Sequence, residues 1–228
     1  MSDFDQFSSD YDTALAKGLS VTGEDKLYFA RGRLAWLAQV LAEFPVRSDS
    51  LIDYGCGTGT SASLFFEFLG VKEIIGLDTS VNSLEVARET YNFPRMKFYH
   101  IDEYQPCGQI DLTFCNGVFH HIPPEERADA VSYIYRCLRP GGIFAIWENN
   151  PWNPGTRYVM SRVPFDRDAI MLSHLEMRRL VKECGFEALR TDFLFIFPSA
   201  LRFLRWIEPS LTKLPLGGQY QVICRKPE

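Results

Sequence analysis

The chain has 228 residues, of which 46% are hydrophobic and 23% are charged. This mixture is typical of a folded globular protein and excludes bulk disorder or a fibrous repeat. The 24 basic and 29 acidic side chains give a net charge of −5, which opposes general binding to a nucleic-acid backbone. Because a domain averages about 150 residues, we expect one α/β domain with additional segments.

The sequence predicts a cytoplasmic protein without an integral membrane segment. No apolar run approaches the roughly 20 residues that a membrane-spanning helix requires. Residues 1–5 are acidic, whereas a secretory signal is basic and then apolar. The six cysteines contain no C-x-x-C pair, so we expect reduced thiols rather than a disulfide framework or a zinc framework. An apolar stretch over 193–207 leaves peripheral membrane contact open, and the oligomeric state is not indicated.

The predicted elements begin with an amphipathic helix and continue with alternating strands and helices. Apolar residues spaced three or four apart from Leu27 to Phe44 line one helical face. The predicted strands are 51–54, 73–77, 97–101, 110–115 and 143–147. Helices are predicted over 124–138 and from Ser173, where Ser173 and Glu176 form a capping-box pattern. Such alternation predicts a parallel sheet with helices on both faces.

Two proline-containing segments interrupt this alternation, over 149–170 and 198–217. Irregular insertions of this length in a compact α/β domain are usually functional. We therefore predict a single domain in which residues 1–45 form a helical cover and 46–148 the cofactor-binding core. The two insertions are expected on the substrate side.

A glycine-rich loop follows the first predicted strand, in the order Asp53, Tyr54, Gly55, Cys56, Gly57, Thr58, Gly59. Glycines at the carboxyl end of a strand allow a ligand to approach the backbone closely. The unusual feature is Asp53, because a carboxylate beside this loop would repel a pyrophosphate. A carboxylate suits a ligand that carries an ammonium group.

Two further acids stand at the ends of the next predicted strands. Asp78 is placed to accept hydrogen bonds from ribose hydroxyls, and Asp102 lies where it could reach an adenine amino group. An ammonium, a ribose and an adenine together describe S-adenosylmethionine.

On these residues the sequence resembles the class I S-adenosylmethionine-dependent methyltransferases, in their small-molecule (type 11/12-like) branch. Asp53-x-Gly55-x-Gly57-x-Gly59, Asp78 and Asp102 are similar to the family's acids and glycines on the first three strands. The segment 115–121 and the turn 138–142 are similar to its fourth-strand end and the turn before its fifth strand. The resemblance implies a Rossmann-like three-layer α/β/α sandwich. Its mostly parallel seven-stranded sheet has the order 3-2-1-4-5-7-6, with residues 192–197 pairing antiparallel to a last strand at 219–225.

The resemblance also implies a cofactor site for S-adenosyl-L-methionine. Tyr11 would touch the methionine portion, and Arg31 or Arg33 could meet its carboxylate. The implied cofactor-binding residues are Tyr11, Asp53, Gly55, Cys56, Gly57, Gly59, Asp78, Thr79, Asp102, Glu103 and Asn116.

Methyl transfer by in-line displacement needs a general base only when the acceptor must lose a proton. The candidate catalytic residues are His120, His121 and Glu148, which follow the fourth strand or end the fifth. Equally, the two histidines could serve only as hydrogen-bonding groups in the turn at 122–124. No spacing of histidine, cysteine or acidic residues suggests a metal ligand set, so no metal is expected.

The sequence predicts a small-molecule acceptor, lipid-like or glycosylated, and not a nucleic acid. The segment Asn149-Asn150-Pro151-Trp152 is superficially similar to a nucleobase-methylating motif, but it follows the fifth strand rather than the fourth. Two rival functions remain open at this point. One is an NAD(P)-dependent oxidoreductase, since Asp78 also fits that fingerprint, and the other is a non-catalytic protein that binds S-adenosylmethionine.

Overall fold

A computed structural model describes residues 18–166 and 168–228. Within them, seven strands form one sheet in the order β3-β2-β1-β4-β5-β7-β6. The strands are Ser50–Tyr54 (β1), Glu73–Asp78 (β2), Met96–His100 (β3), Ile110–Asn116 (β4), Leu138–Asn149 (β5), Glu187–Leu194 (β6) and Gln219–Arg225 (β7). Strands β1 to β5 run parallel, whereas β7 is antiparallel to both β5 and β6. The predicted fold class and strand order are confirmed.

Helices cover both faces of the sheet. They are Lys26–Leu41 (α1), Ala62–Leu69 (α2), Val81–Thr90 (α3), Arg127–Cys137 (α4), Pro154–Arg162 (α5), His174–Glu183 (α6) and Glu208–Leu211 (α7). Short 3-10 helices lie at Ser20–Thr22, Ile101–Glu103, Pro164–Asp166 and Ser199–Ile207. One core cluster joins the sheet to α1, α2 and α3, and a second joins it to α4 and α6. The molecule therefore has three layers with a core on each side of the sheet.

The central strands are apolar on both faces because helices cover both sides. Along β5, Ala145 and Trp147 belong to the cluster with α1, while Phe144 and Ile146 belong to the opposite cluster. This alternation follows from the two-residue period of a strand. It fixes the register of β5 and with it the position of the residues at its carboxyl end.

Helix α1 ends at Leu41, before the apolar pattern that extends to Phe44. The side chain of Asp25 caps it by accepting a hydrogen bond from the Tyr28 amide, 2.7 Å away. Leu34 and Leu37 are fully buried, but Leu27 is 46% exposed. Phe44 lies beyond the helix end and packs against the core.

Two other predicted boundaries were wrong. The helix predicted over 124–138 begins only at Arg127, and Ala128 faces solvent. The strand predicted over 192–197 is β6, which ends at Leu194. Phe195 has a φ of 63°, and a residue in that left-handed region cannot continue an extended strand. The capping box of Ser173 and Glu176 is confirmed at the start of α6.

The two insertions are held together by hydrogen bonds from one to the other. The buried amide Nδ2 of Asn150 donates to the carbonyl oxygens of Pro215 (3.1 Å) and Gly217 (2.8 Å). The hydroxyl of Thr156 donates to the carbonyl of Gly218, directly after the second insertion, at 2.7 Å. The Asn149-Asn150-Pro151-Trp152 segment thus has a structural explanation as an anchor between insertions. In the part of the chain that the structure describes, no helix combines the length and apolarity needed to cross a bilayer.

Candidate functional site

The glycine loop turns sharply after β1 and presents its backbone to open space. Gly55, Gly57 and Gly59 have φ values of 74°, 52° and 77°, which other residues rarely adopt. The amides of Gly55 and Cys56 donate to the carbonyl of Leu77 at 2.8 and 3.0 Å, so the loop is tied to β2. A Cβ atom on Gly57 would meet nothing within 4 Å. This open side is where a ligand can contact the backbone.

Asp78 lies across this loop at the end of β2. Its Oδ2 accepts a hydrogen bond from the Gly57 amide at 2.7 Å, and its Oδ1 accepts one from the Ser80 amide at 2.9 Å. Burial raises the pKa of Asp78, although these backbone hydrogen bonds oppose the shift. Each carboxylate oxygen has a second acceptor site, so the side chain retains the capacity to bind hydroxyl groups.

Asp53 is the least solvated acid of the loop, with only 5% of its surface exposed. Burial and the neighbouring charge of Asp78 raise its pKa to about 7, while Arg33 pulls the pKa down. A buried carboxylate with only partial compensation is stabilised by a cationic ligand, so the loop fits a cofactor that carries ammonium and sulfonium charges.

The predicted adenine-side residues are exposed. Strand β3 ends at His100, and Asp102 and Glu103 belong to the 3-10 helix that follows, which corrects the prediction that Asp102 ends the strand. The Asp102 side chain is 87% exposed, with a carboxylate oxygen 3.5 Å from Nδ1 of His100. Thr79 is also exposed. Tyr11 lies outside the described residues.

Arg31 and Arg33 occupy different environments. Arg31 forms a two-pronged ion pair with Glu67 and is about half exposed, an arrangement that favours a solvated helix face over a contact with the cofactor. Arg33 is buried, and its guanidinium donates to the side-chain oxygen of Gln219 at 3.0 Å. At the end of β4, Oδ1 of Asn116 is a buried acceptor without a donor in the described structure. An acceptor of this kind suits the ammonium group of the cofactor.

The three predicted catalytic residues come together just beyond β4 and β5. The turn after β4 is anchored by the fully buried ring of Phe119. Oε1 of Glu148 accepts a hydrogen bond from the Phe119 amide at 2.7 Å, and its Oε2 lies 2.6 Å from Nδ1 of His120. Since Glu148 is only 1% exposed, it positions the histidine and does not itself face the cavity.

A fourth residue, which the sequence reasoning missed, completes this cluster. Oδ1 of Asp166 lies 3.6 Å from Nε2 of His120 and 3.3 Å from Nε2 of His121. The amide of Ile170 donates to the carbonyl of His120 at 2.8 Å, and Arg127 donates to the carbonyl of Ile170. These bonds fix the second half of the first insertion against the histidine turn. No sequence spacing signals this, because the approach of Asp166 depends on tertiary contacts.

The electrostatics of the cluster oppose the predicted base role of His120. Burial alone would lower the pKa of His120, but the Glu148 charge and hydrogen bonds to Asp166 and Glu148 raise it to about 10. Burial raises the pKa of Asp166, yet the two histidines outweigh it and leave that pKa below its usual value. The two carboxylates therefore favour the protonated form of His120. This shift disfavours His120 as a general base, and its catalytic role stays a prediction.

A cavity of about 660 Å³ opens in front of the cluster. Its walls come from the 3-10 helix at residues 20–22, from α1, from both insertions and from the ends of β4 and β5. Apolar side chains form much of the wall, among them Phe29, Val159 and Phe195. The ionisable side chains in it are Glu24, Lys26, Tyr28, Arg33, His120, His121, Tyr158, Asp166 and Arg205. Both predicted insertions thus line the cavity.

The sheet order, the glycine loop after β1 and the acid at the end of β2 together define a class. These features are those of the class I S-adenosylmethionine-dependent methyltransferases, whose cofactor is S-adenosylmethionine, and the match to a family model covers that part of the chain. Within that class, residues 52–146 match the family model described as "Methyltransferase domain".

Curated relatives are trans-aconitate 2-methyltransferases. The protein of that name from Azoarcus sp. (strain BH72) is 29% identical over 148 residues, which is 63% of this chain and 57% of the relative. The one from Escherichia coli O157:H7 (strain EC4115 / EHEC) is 25% identical over 192 residues, 79% of this chain and 75% of the relative. The chain thus spans about half the length of the first of these relatives.

Solved structures show the same fold. A chain of the complex between the Haloferax volcanii Trm112 methyltransferase activator and its candidate methyltransferase has a TM-score of 0.68 at 20% identity, covering 100% of this chain and 99% of that one. Phosphoethanolamine N-methyltransferase 2 from Haemonchus contortus, in complex with S-adenosyl-L-methionine, has a TM-score of 0.64 at 16% identity. The alignment covers 100% of this chain and 61% of that one. At these identities the likeness concerns the fold alone.

Proposed function

We propose that this protein transfers the methyl group of S-adenosylmethionine to a carboxylate oxygen of a small organic acid. The observation that carries this proposal is the charge of the cavity wall. The wall carries Lys26, Arg33 and Arg205 against Glu24 and Asp166, with Arg205 and Glu24 paired at 2.8 Å, although the whole chain has a net charge of −5. A cationic cavity in an acidic protein favours an anionic ligand.

The residues behind the cavity support an acceptor that needs no deprotonation. Nδ1 of His120 lies 2.6 Å from a carboxylate oxygen of Glu148, and its Nε2 lies 3.6 Å from one of Asp166; these two charges favour the protonated ring, which supports an acceptor that does not depend on a base. A carboxylic acid, with a pKa of about 4, is already ionised at neutral pH. Methyl transfer to it requires correct placement and exclusion of water rather than a base.

The cofactor-binding roles are part of the proposal. The bound cofactor supplies an electrophilic methyl group on a sulfonium. Asp78 would hold the ribose hydroxyls, Asp53 and Asn116 the cationic methionine end, and Asp102 the adenine amino group. The backbone at Gly57 offers its open side to the cofactor. Tyr11 remains a candidate for the methionine portion.

The relatives support the same class of acceptor. Two proteins named trans-aconitate 2-methyltransferase align with most of this chain, and the compound in that name is a small polycarboxylic acid. The names of these relatives favour a small organic acid over the lipid-like or glycosylated acceptor expected from the sequence. We also propose a cytoplasmic location, which is supported by cysteines that are all free thiols.

The experiment is a methyl-transfer assay with S-adenosylmethionine and a panel of mono-, di- and tricarboxylic acids, trans-aconitate among them. We expect turnover with a polycarboxylic acid and formation of a base-labile methyl ester. In Arg205→Gln, which removes a cation from the cavity wall and leaves its ion-pair partner Glu24 uncompensated, KM for the acid should rise about tenfold, equivalent to about 1.4 kcal/mol.

The matched control is Arg202→Gln, on the same 3-10 helix but outside the cavity, which should leave KM unchanged. Equal effects of the two substitutions, or turnover only with neutral acceptors, would contradict the proposed acceptor. The oxidoreductase alternative predicts binding of NAD(P)H without binding of S-adenosylhomocysteine. A non-catalytic protein would bind the cofactor and turn over no acceptor in the panel.

A further inference from the structure

We propose that His120, His121 and Asp166 form a binding site for a divalent transition-metal ion at the wall of the acceptor cavity. The inference goes beyond the proposed methyl transfer, which needs no metal for its chemistry. It depends on the positions of the three side chains, which come from two separate segments of the chain.

The spacing of the donor atoms fits a metal site. One ligand atom from each of the three residues lies within 4.8 Å of the others. Oδ1 of Asp166 is 3.3 Å from Nε2 of His121 and 3.6 Å from Nε2 of His120. Ligand bonds of about 2.0–2.1 Å at a tetrahedral angle place neighbouring donor atoms about 3.4 Å apart. The two separations from Asp166 match this value, and the separation of the two histidine donor atoms is within 4.8 Å.

The surroundings of His120 are those of a metal ligand. A metal-bound histidine normally donates its other ring N–H to a carboxylate or a carbonyl, which fixes the ring and the tautomer. Nδ1 of His120 lies 2.6 Å from Oε2 of Glu148, and Oε1 of Glu148 is held in turn by the Phe119 amide. This fixed carboxylate turns Nε2 of His120 towards Asp166 and His121.

The donor set indicates the kind of ion and its open side. Two imidazoles and one carboxylate suit Zn²⁺, Co²⁺ or Fe²⁺ better than Mg²⁺ or Ca²⁺, which prefer oxygen ligands. Three protein ligands leave at least one coordination position open. His120, His121 and Asp166 all line the cavity, so the open position faces the acceptor. A carboxylate acceptor could occupy it, a use of the ion that depends on the proposed function.

The test measures binding of Zn²⁺ and Co²⁺ alone to the full chain after treatment with a chelator, without cofactor or acceptor. Calorimetry should show one equivalent of Zn²⁺. The Co²⁺ protein should show visible absorption bands without the near-ultraviolet charge-transfer bands of thiolate ligands. His121→Asn and Asp166→Asn should each weaken binding at least tenfold. Glu148→Gln should weaken it about 10- to 100-fold, as loss of an outer partner does.

The matched control is His100→Asn. His100 also has a carboxylate oxygen nearby, that of Asp102 at 3.5 Å, but it lies away from the cavity wall. Its loss should not change Zn²⁺ binding. Absence of binding, thiolate bands, or binding that survives in both His121→Asn and Asp166→Asn would overturn the site. These readouts do not involve methyl transfer, so the metal site and the proposed function can fail separately.

Discussion

Oε2 of Glu148 lies 2.6 Å from Nδ1 of His120, and both side chains are almost completely buried. The pair joins the end of β5 to the turn after β4, which are neighbouring parallel strands. Since Glu148 also accepts the Phe119 amide, both of its oxygens are used. The position of His120 in the cavity wall therefore depends on Glu148, which does not line the cavity.

This burial predicts a large stability effect for Glu148→Gln. Removing one member of a buried ion pair leaves the other charge uncompensated and costs about 3 kcal/mol or more. The matched control is Glu67→Gln, whose partner Arg31 is about half exposed, and exposed pairs contribute about 1 kcal/mol or less. Urea unfolding of chelator-treated protein gives both free energies of unfolding. Similar losses for the two variants would mean that the Glu148–His120 pair is solvated.

Asp78→Ala is expected to weaken binding of S-adenosylhomocysteine about 10- to 100-fold, the loss of a charged hydrogen bond. Asp78 also binds the Gly57 and Ser80 amides, so a single variant does not separate the ribose contact from a disturbed loop. A double-mutant cycle that combines Asp78→Ala with a 2′-deoxy cofactor analogue separates these two effects. The missing hydroxyl should weaken binding to the native chain and have little effect on the variant. Equal losses in both proteins would exclude the ribose contact.

Much of the fold could be predicted because local signals agree with it. The glycines after β1, the acid at the end of β2 and the apolar strands are all local in sequence, and the resemblance they support implied the order of the sheet. The end of β6 was predicted too late because nothing in a run of apolar residues signals the left-handed φ of Phe195. That conformation is imposed by packing, since Phe195 meets the rings of Phe29 and Trp147.

The cluster in the cavity wall could be predicted only in part. His120, His121 and Glu148 follow predicted strands, so the parallel order already implied that they would be close. Asp166 stands in an insertion without a repeating pattern, and the hydrogen bond from Ile170 to His120 brings it into place. Such a tertiary contact leaves no spacing in the sequence. For the same reason, no spacing in the sequence indicated that Asp166 joins the two histidines in a metal-ligand set.

The pKa of Asp53, raised to about 7, predicts pH-dependent cofactor binding. Below that pH the carboxyl is protonated and neutral, and it no longer attracts a cationic ligand; above it, the carboxylate is ionised. Affinity for S-adenosylmethionine should therefore fall about tenfold between about pH 8 and about pH 6 if the ionised form alone binds. Asp78 and Arg33 are the charged groups that act on this carboxyl.

Calorimetric titrations across this range check the Asp53 prediction. Asp53→Asn should bind more weakly at about pH 8 and show a much flatter profile. Asp129→Asn, an exposed acid on α4, should retain the profile of the native chain. A pH dependence that persists unchanged in Asp53→Asn would assign the titration to another group.

Gly57 and Gly70 provide a matched pair for testing the cofactor loop. Both have a left-handed φ, 52° and 64°, and a Cβ atom on either would meet nothing within 4 Å. Alanine at each position should therefore cost a similar strain, about 1–2 kcal/mol. Gly70 is the C-cap residue of α2 and is not part of the glycine loop, so Gly70→Ala should bind S-adenosylhomocysteine normally. Gly57→Ala should lose at least tenfold in affinity, and valine at Gly57 should lose more, because the added carbons occupy the space that the cofactor needs. Equal affinities in the two alanine variants would show that the open side of Gly57 is not the cofactor's surface.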